Sequence, residues 1–284
     1  MKLDATRRPW SGVHVGVFVE ARYRTQTQPA GLTGALQARG HRVRLIEADE
    51  AGFRVGDVKW MDQLDVVVAR GRSPQLLALV GWAERIGMPT INRRDAIARV
   101  LNKVEMSSAL AHAGLSIPST FVAPIEMLAR KVPEDAFPLV LKPIFGDNAR
   151  GLRIVHTRQE LTAVEWPDAV AIAQEFLTSD GFDLKLYGIG ERLFVVRKAS
   201  PLSPTAQREG DVGHLMPTTP ELEKLGRACM DLFGLELYGV DCIETADGPV
   251  VIEVNDFPNY SAVPKSSDLL ADHVLSRARA WSRP

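Results

Sequence analysis

Short apolar runs alternate with segments of helical periodicity along the first hundred residues. The runs at 13–19, 42–47 and 64–69 are rich in aliphatic residues and predict strands. Apolar spacing predicts helices over 31–39 and 76–86, and a glycine follows each of them. Because strands and helices alternate, this part of the chain is expected to form a parallel sheet, whose ligands bind beyond the carboxyl ends of the strands.

The pattern changes after residue 102. Helices are predicted over 103–113, 221–233 and 267–279, and the segment 139–154 predicts a strand, a glycine-containing loop and a second strand. The chain is therefore expected to combine an α/β domain with an α+β body. The expected units are an N-terminal α/β domain, a central lobe and a C-terminal lobe with a metal site, over residues 1–98, 99–178 and 179–284.

The 284 residues include 45% hydrophobic and 24% charged residues, as in ordinary globular proteins. The 34 basic and 35 acidic residues nearly cancel, which argues against nucleic acid or a membrane surface as a partner. Cys229 and Cys242 have neither metal-ligand nor redox spacing, and no apolar run approaches the ~20 residues of a membrane helix. The composition predicts a cytoplasmic protein whose ligand sites are local.

Arginines follow two of the predicted strands. Arg22 and Arg24 come after the first strand, and Arg70 and Arg72 come after the third. Guanidinium groups on neighbouring loops bind carboxylate or phosphate with two parallel hydrogen bonds. The arginines therefore indicate an anionic small-molecule substrate, and the alternative is a set of solvated surface side chains.

Lys142 ends an apolar strand in the segment FPLVLKPIFGDNARG, and a loop bounded by Gly146 and Gly151 follows it. Glycine lets backbone N–H groups approach an anion closely, and lysine adds a point charge. The loop lacks the Lys-Ser/Thr ending of a Walker A motif. An anion-binding loop and an ordinary hairpin loop are both compatible with this segment.

The segment LYGVDCIETADGPVVIEVN predicts a hairpin whose two strands flank a turn at 246–248. Alternation puts Glu253 and Asn255 on one face, and a three-residue turn with a left-handed Gly248 puts Asp241 opposite Glu253. Two neighbouring carboxylates repel each other unless a cation lies between them, and oxygen ligands of this kind suit magnesium. The alternative is a solvated outer face of the hairpin.

Six stretches, taken in order, carry a resemblance to a known superfamily. They are INRRDAIARVLNK, VLKPIFGDNARG, AQEF, DLKLYGIGERLFVVRK, GVDCIE and VVIEVNDFP. Together they resemble the ATP-grasp superfamily, in particular the RimK-type carboxylate–amine ligases, over nearly the whole chain. The resemblance implies an ATP-grasp fold with an N-terminal parallel-sheet domain. It also implies a ligase that forms an acyl phosphate from ATP and a carboxylate before an amine attacks it.

The resemblance implies roles for individual residues as well. Lys103 and Lys142 would contact the α- and β-phosphates of ATP, and Asp183 would reach the ribose. Lys185 and Arg197 would lie on the transfer path of the γ-phosphate. The adenine would bind at the AQEF stretch, which includes Gln174, Glu175 and Phe176. One or two magnesium ions, which manganese could replace, would be held by Asp241, Glu253 and Asn255.

Two segments depart from the ligase pattern. After Arg197 the chain reads KASPLSPTAQREGDVGHL, in which only Arg208 could replace an arginine of the ligases. The segment NDFPNYSAVP, which contains Asn259, is similar to the corresponding segment of ATP-grasp inositol polyphosphate kinases. The alternative function is therefore a kinase that phosphorylates a hydroxyl of an inositol phosphate or a similar anion. A module that binds ATP without turnover is a third interpretation. The candidate substrate residues are Arg22, Arg24, Arg70, Arg208 and Asn259.

Overall fold

The computed structural model describes residues 12–146, 149–203 and 212–281, which form three sheets. The first sheet consists of β1 (His14–Val19), β2 (Arg42–Glu47), β3 (Val66–Arg70) and β4 (Thr90–Ile91). Its strands are parallel in the order β2-β1-β3-β4, which confirms the predicted parallel sheet. Strand β3 ends later than predicted, so Arg70 is the last residue of the strand and not the first residue of the loop.

From residue 12 to the end of α3, the first part of the chain forms the α-helices α1 (Thr27–Ala38), α2 (Pro74–Arg85) and α3 (Arg94–Leu101). The side chain of Ser73 caps α2 by accepting a hydrogen bond from the Leu76 amide at 3.2 Å. Helix α1 begins earlier than its apolar spacing predicts, and α3 covers a segment for which the pattern predicted no helix.

The second sheet is antiparallel, with its strands in the order β5-β8-β6-β7. Its strands are β5 (Thr120–Ala123), β6 (Leu139–Lys142), β7 (Arg153–Val155) and β8 (Ala171–Glu175). Helices α5 (Ile125–Lys131) and α6 (Arg158–Thr162) pack against this sheet, and α4 (Lys103–His112) precedes it in the chain. Strands β6 and β7 confirm the strand, loop and strand predicted over 139–154.

The third sheet is also antiparallel, in the order β11-β10-β9-β12-β13. Its strands are β9 (Phe182–Ile189), β10 (Arg192–Ala199), β11 (His214–Met216), β12 (Leu237–Thr245) and β13 (Gly248–Asp256). Helix α7 (Pro220–Phe233) and helix α4 pack on one face of this sheet through buried Leu222, Phe233 and Met106. Residues on the opposite face of this sheet line a cleft.

The last helix, α8 (Ser266–Ala280), returns to the first sheet. Leu270 and Val274 of α8 are buried in the same core as Val15 of β1, Val68 of β3 and Leu32 of α1. Helix α8 therefore stabilises the first sheet. The domain boundaries expected near residues 98 and 178 stay predictions. No helix in the described part of the chain is both long and apolar enough to span a bilayer.

Candidate active site

A cleft of about 630 Å³ lies where the three sheets meet, and most of the sequence-predicted residues line it. Those residues are Arg70, Arg72, Lys103, Lys142, Gly146, Gln174, Glu175, Phe176, Asp183, Lys185, Asp241, Glu253, Asn255 and Asn259. Four other candidates lie in the described part of the chain but do not line the cleft: Arg22, Arg24, Gly151 and Arg197. Arg208 lies outside the described residues.

Lys103 is the first residue of α4 and is buried. The side-chain oxygen of Asn102 caps this helix by accepting a hydrogen bond from the Val104 amide at 3.0 Å. The Lys103 ammonium donates to the Gly146 carbonyl oxygen at 2.7 Å and pairs with the Glu253 carboxylate at 3.1 Å. Lys103 thus connects the glycine loop of the second sheet with the hairpin of the third.

Lys142 is the last residue of β6, and its side chain enters the cleft from the second sheet. Burial lowers the pKa of Lys142, and the positive charge of Lys103 lowers it further. The carboxylates of Glu253 and Asp241 oppose this shift only in part. The two lysines therefore approach one another from different elements, which raises the affinity of the space between them for an anion.

The hairpin of β12 and β13 places Asp241 opposite Glu253, as predicted, but the predicted turn is wrong. Thr245 pairs with Gly248, so the turn contains two residues and not three. A β-bulge on β13 then adds one residue, Ile252, between the partners of Cys242 and Asp241. Without the bulge, a regular ladder after this turn would place Ile252 opposite Asp241. With the bulge, Glu253 takes that position.

Lys185 lies between two carboxylates on the cleft face of the third sheet. Its ammonium is 2.8 Å from Asp241 Oδ2 and 3.5 Å from Asp183 Oδ2. Burial alone lowers the pKa of Lys185, but the two carboxylates outweigh burial and raise the pKa above its usual value. Lys185 is therefore a permanent positive charge at this end of the cleft.

Arg197 lies on the face of β10 that turns away from Lys185. In the ladder with β9, Lys185 is opposite Val196 and Arg197 is opposite Leu184, and directly opposed residues share a face. The Arg197 guanidinium pairs with Asp180 at 2.5 Å outside the cleft. Lys198, which is opposite Asp183, lines the cleft instead. The structure thus puts a lysine where the sequence suggested an arginine.

The AQEF stretch forms the end of the cleft next to the second sheet. Gln174 is buried, and its Nε2 donates to the Thr120 hydroxyl at 3.0 Å, while its Oε1 has no hydrogen-bond partner in the described part of the chain. The amides of Glu175 and Phe176 donate to the backbone carbonyls of Ser119 and Pro138, which directly precede β5 and β6, each at 2.9 Å. Because these two amides already form hydrogen bonds within the protein, an adenine base bound here would form its hydrogen bonds with backbone carbonyl groups or with the residues that follow Phe176.

The four arginines separate into two pairs. Arg22 pairs with Glu20 at 2.8 Å and Arg24 pairs with Glu47 at 2.6 Å, both as half-exposed surface side chains. Arg70 is buried and lines the cleft together with Arg72. The structure thus reduces the expected group of four to two, because carboxylates of the same sheet compete for the other guanidinium groups.

Arg72 extends from the end of the first sheet and contacts the other two sheets next to the loop bounded by Gly146 and Gly151. It donates to the Gly146 carbonyl oxygen at 2.9 Å and to Asn255 Oδ1 at 2.6 Å, and its Nε is 3.9 Å from Asp256 Oδ1. Its backbone amide donates to the buried carboxylate of Glu20, which also accepts the Ser73 amide at 2.5 Å. Arg72 is therefore held by its backbone on the first sheet.

The oxygen atoms of Asp241, Glu253 and Asn255 meet the chemical requirement of a hard cation, because all three are neutral or anionic oxygen donors. Each faces a positively charged group, which is Lys185, Lys103 and Arg72 respectively. Burial raises the pKa of Glu253, but Lys103, Arg72 and Lys142 together hold that pKa below its usual value. Among the described residues, no group of three or more His, Cys, Asp or Glu side chains is arranged to hold a metal ion.

Sequence reasoning missed several residues of the cleft wall, among them Tyr23, Gln26, Tyr187 and Lys198. Tyr187 could have been found, because it follows Asp183 and Lys185 at the spacing of one strand face. Tyr23 and Gln26 lie after β1 and reach the cleft only because the first sheet packs beside the third. No local signal marks them.

Comparisons with known proteins show what the chain as a whole is similar to. Residues 100–277 match the RimK-like ATP-grasp domain family. A probable alpha-L-glutamate ligase from Vibrio atlanticus is 27% identical over 276 residues, which cover 87% of this chain and 91% of the relative.

Two solved structures share the fold. The RimK domain ATP-grasp protein from Sphaerobacter thermophilus has a TM-score of 0.71 at 23% identity, covering 92% of this chain and 99% of its own. The D-alanine–D-alanine ligase from Bacillus anthracis, solved with ATP, has a TM-score of 0.69 at 15% identity, covering 95% and 98%. These similarities confirm the ATP-grasp fold expected from the sequence.

Proposed function

The chain belongs to the RimK-like ATP-grasp family of carboxylate–amine ligases, and we propose that it uses ATP and magnesium to join a carboxylate to the amine of an amino acid. One observation carries the proposal. Lys103 and Lys142, on separate elements, line the same cleft as the oxygen donors of Asp241, Glu253 and Asn255. A triphosphate needs this combination of ammonium groups and counter-cation ligands.

The lysines and the glycine loop would bind the phosphates. Lys142 enters the cleft from β6 without an ion pair among the described residues, so its charge is available to a phosphate. Lys103 already pairs with Glu253 and the Gly146 carbonyl, and it would exchange these partners for a phosphate oxygen. That exchange would release Glu253 to a cation.

Asp241, Glu253 and Asn255 would hold magnesium, which neutralises phosphate charge when it is bound. Asp183 has a buried Oδ1 without a hydrogen-bond partner among the described residues, and this oxygen suits a ribose hydroxyl. Gln174 Oε1, at the second-sheet end of the cleft, is likewise buried and has no hydrogen-bond partner among the described residues. Both atoms support a bound nucleotide.

Lys185 and Lys198 would act on the reacting groups at the third-sheet end of the cleft. A carboxylate oxygen attacks the γ-phosphorus, ADP leaves, and an acyl phosphate forms. The amine nitrogen then attacks the acyl carbon, the C–O bond to phosphate breaks with release of free phosphate, and the proton lost by the amine passes to solvent. The permanent charge of Lys185 stabilises the oxyanion and the leaving phosphate.

The relatives favour a ligase, and they give no support to the kinase alternative. Because one relative is named a probable alpha-L-glutamate ligase, L-glutamate is the first amine to test. Because the carboxylate substrate is not identified, a pool of small-molecule metabolites would be added to supply it. Phosphorus NMR then distinguishes the two reactions: a ligase releases free phosphate with ADP, whereas a kinase leaves a new phosphate ester. An ester signal without free phosphate would contradict the proposal.

The assignment of Glu253 is tested by E253Q, with E244Q as the matched control. Glu244 lies on the neighbouring strand β12 and is exposed. We expect E253Q to lose turnover about 100-fold or more, since a neutral amide binds magnesium poorly, while nucleotide affinity persists through the lysines. Turnover is measured as ADP release, and affinity by calorimetry with a non-hydrolysable ATP analogue. Equal turnover in E253Q and E244Q would exclude Glu253 as a metal ligand.

A further inference from the structure

Arg70 has a hydrogen-bonding capacity that the protein does not use. It is the last residue of β3 and is only 9% exposed, yet it lines the cleft. Its Nε has no hydrogen-bond partner in the described part of the chain. Its other two contacts are long, at 3.3 Å from Nη2 to Gln26 Oε1 and 3.5 Å from Nη1 to the Asp256 carbonyl oxygen.

The charge of Arg70 is also poorly compensated. None of the described carboxylates lies within ion-pair distance of its guanidinium, and Asp256, the carboxylate with the largest electrostatic effect on it, also faces Arg72 at 3.9 Å. One negative charge thus serves two guanidinium groups. Asp256 is 1% exposed and is inaccessible to a ligand, whereas Arg70 lines the cleft.

A buried guanidinium stays charged, and leaving it without a partner is costly. The aromatic ring of Tyr23, 4.4 Å from the Arg70 guanidinium carbon, offsets part of this cost but forms no hydrogen bond with Nε. An anion with two acceptor oxygens in the cleft would give this guanidinium the charged partner that the described residues do not supply.

We propose that Arg70 binds a substrate carboxylate that is not the one activated, so that the amine substrate is an amino acid held by a free carboxylate. This inference rests on the proposed function. The carboxylate to be activated belongs beside Lys185 on the third sheet, whereas Arg70 lines the cleft from the end of β3 in the first sheet. The two carboxylates would thus be bound by cationic groups from different sheets.

L-Glutamate is the probe for the experiment, because it carries both an α-carboxylate and a side-chain carboxylate. Its binding is measured by calorimetry with and without a non-hydrolysable ATP analogue and magnesium, for the wild type, R70Q and R70K. R227Q is the matched control, since Arg227 is a surface arginine that pairs with Glu191 and Glu223. We expect R70Q to weaken glutamate binding about tenfold or more. R70K should be intermediate because lysine lacks the planar fork.

L-Glutamine distinguishes the two carboxylates of the probe. If Arg70 binds the α-carboxylate, R70Q weakens glutamate and glutamine equally; if it binds the side chain, only glutamate is affected. Retained affinity for the ATP analogue shows that R70Q is folded, and R70K decides the question if R70Q is not. Wild-type glutamate affinity in R70Q or R70K would overturn the inference.

Failure of the inference and failure of the proposed function give different results. A wild type that binds the ATP analogue but neither amino acid would overturn the inference and leave the nucleotide site intact. A wild type that binds either amino acid through Arg70 but no nucleotide would overturn the proposed function alone.

Discussion

Lys142 illustrates how one residue at the end of a strand acquires unusual chemistry. A lysine on the surface is well solvated, but Lys142 ends the buried strand β6 and enters a cleft that also holds Lys103. Burial and the neighbouring ammonium lower the pKa of Lys142. The free protein therefore binds this proton less tightly than an ordinary lysine does, whereas a bound phosphate would restore the proton.

The pH dependence of nucleotide binding follows from this shift. Since the pKa of Lys142 is lowered in the free protein and raised by a phosphate, affinity for an ATP analogue should fall as pH rises through the lowered pKa. Calorimetry between about pH 7 and pH 10 measures the fall, at the alkaline end of which ordinary lysines titrate. K142R should remove the dependence, because arginine stays charged over this range. The same slope in K142R and the wild type would contradict the prediction.

At the scale of elements, helix α8 shows that packing does not follow chain order. The helix is the last element, yet its Leu270 and Val274 are buried against strands of the first sheet. Ion pairs of Arg39 with Asp268 and Asp272 fix α8 beside α1 at the surface. The first sheet therefore lacks a complete core without the end of the chain.

Truncating one side chain of α8 tests this dependence. Leu270 is fully buried, so L270A should lower the free energy of unfolding by about 2–5 kcal/mol, from lost burial and the cavity left behind. S276A, on the exposed side of the same helix, should change it by less than about 0.5 kcal/mol. Urea unfolding followed by circular dichroism measures both variants. An L270A midpoint equal to that of S276A would show that α8 does not stabilise the first sheet.

At the scale of the whole molecule, the cleft is held together by side chains that cross between sheets. Asn92, at the end of β4, accepts the amides of Glu236 and Leu237 at 2.7 and 2.8 Å and donates to the Leu237 carbonyl oxygen at 2.7 Å. Arg72 makes the corresponding connection at the cleft, to the Gly146 carbonyl and Asn255. These contacts set the relative positions of the first and third sheets.

Removing the Arg72 guanidinium should therefore affect the whole molecule. R72M would leave Asn255 Oδ1 without its donor and Asp256 with one neighbouring cation fewer, at a cost of about 1–3 kcal/mol of unfolding free energy. R72K should recover part of the loss by restoring charge. R44M is the control, because Arg44 donates to the Trp60 carbonyl at the exposed surface of the first sheet alone. Identical urea midpoints for R72M and R44M would disprove the coupling.

Local sequence patterns determined the elements and part of the site. Three strands of the first sheet, the helices over 103–113 and 221–233, and the position of Lys142 at a strand end follow from apolar runs, glycines and alternation, which act between near neighbours. The short strand β4 was not predicted. The family resemblance supplied the fold and the order of the motifs. Pairing of Asp241 with Glu253 was predicted through a three-residue turn, whereas a two-residue turn and a bulge produce it.

Tertiary structure decided which charged groups meet. Arg22 and Arg24 resemble Arg70 in the sequence, but Arg22 pairs with Glu20 two residues away, and the packed first sheet brings Glu47 to Arg24. Arg70 is left in the cleft. Ladder register put Lys198 on the cleft face and Arg197 on the other. The pairing of Arg24 with Glu47 and of Lys198 with Asp183 joins residues far apart in the chain, and the energies of such contacts depend on burial and register, which no local pattern encodes.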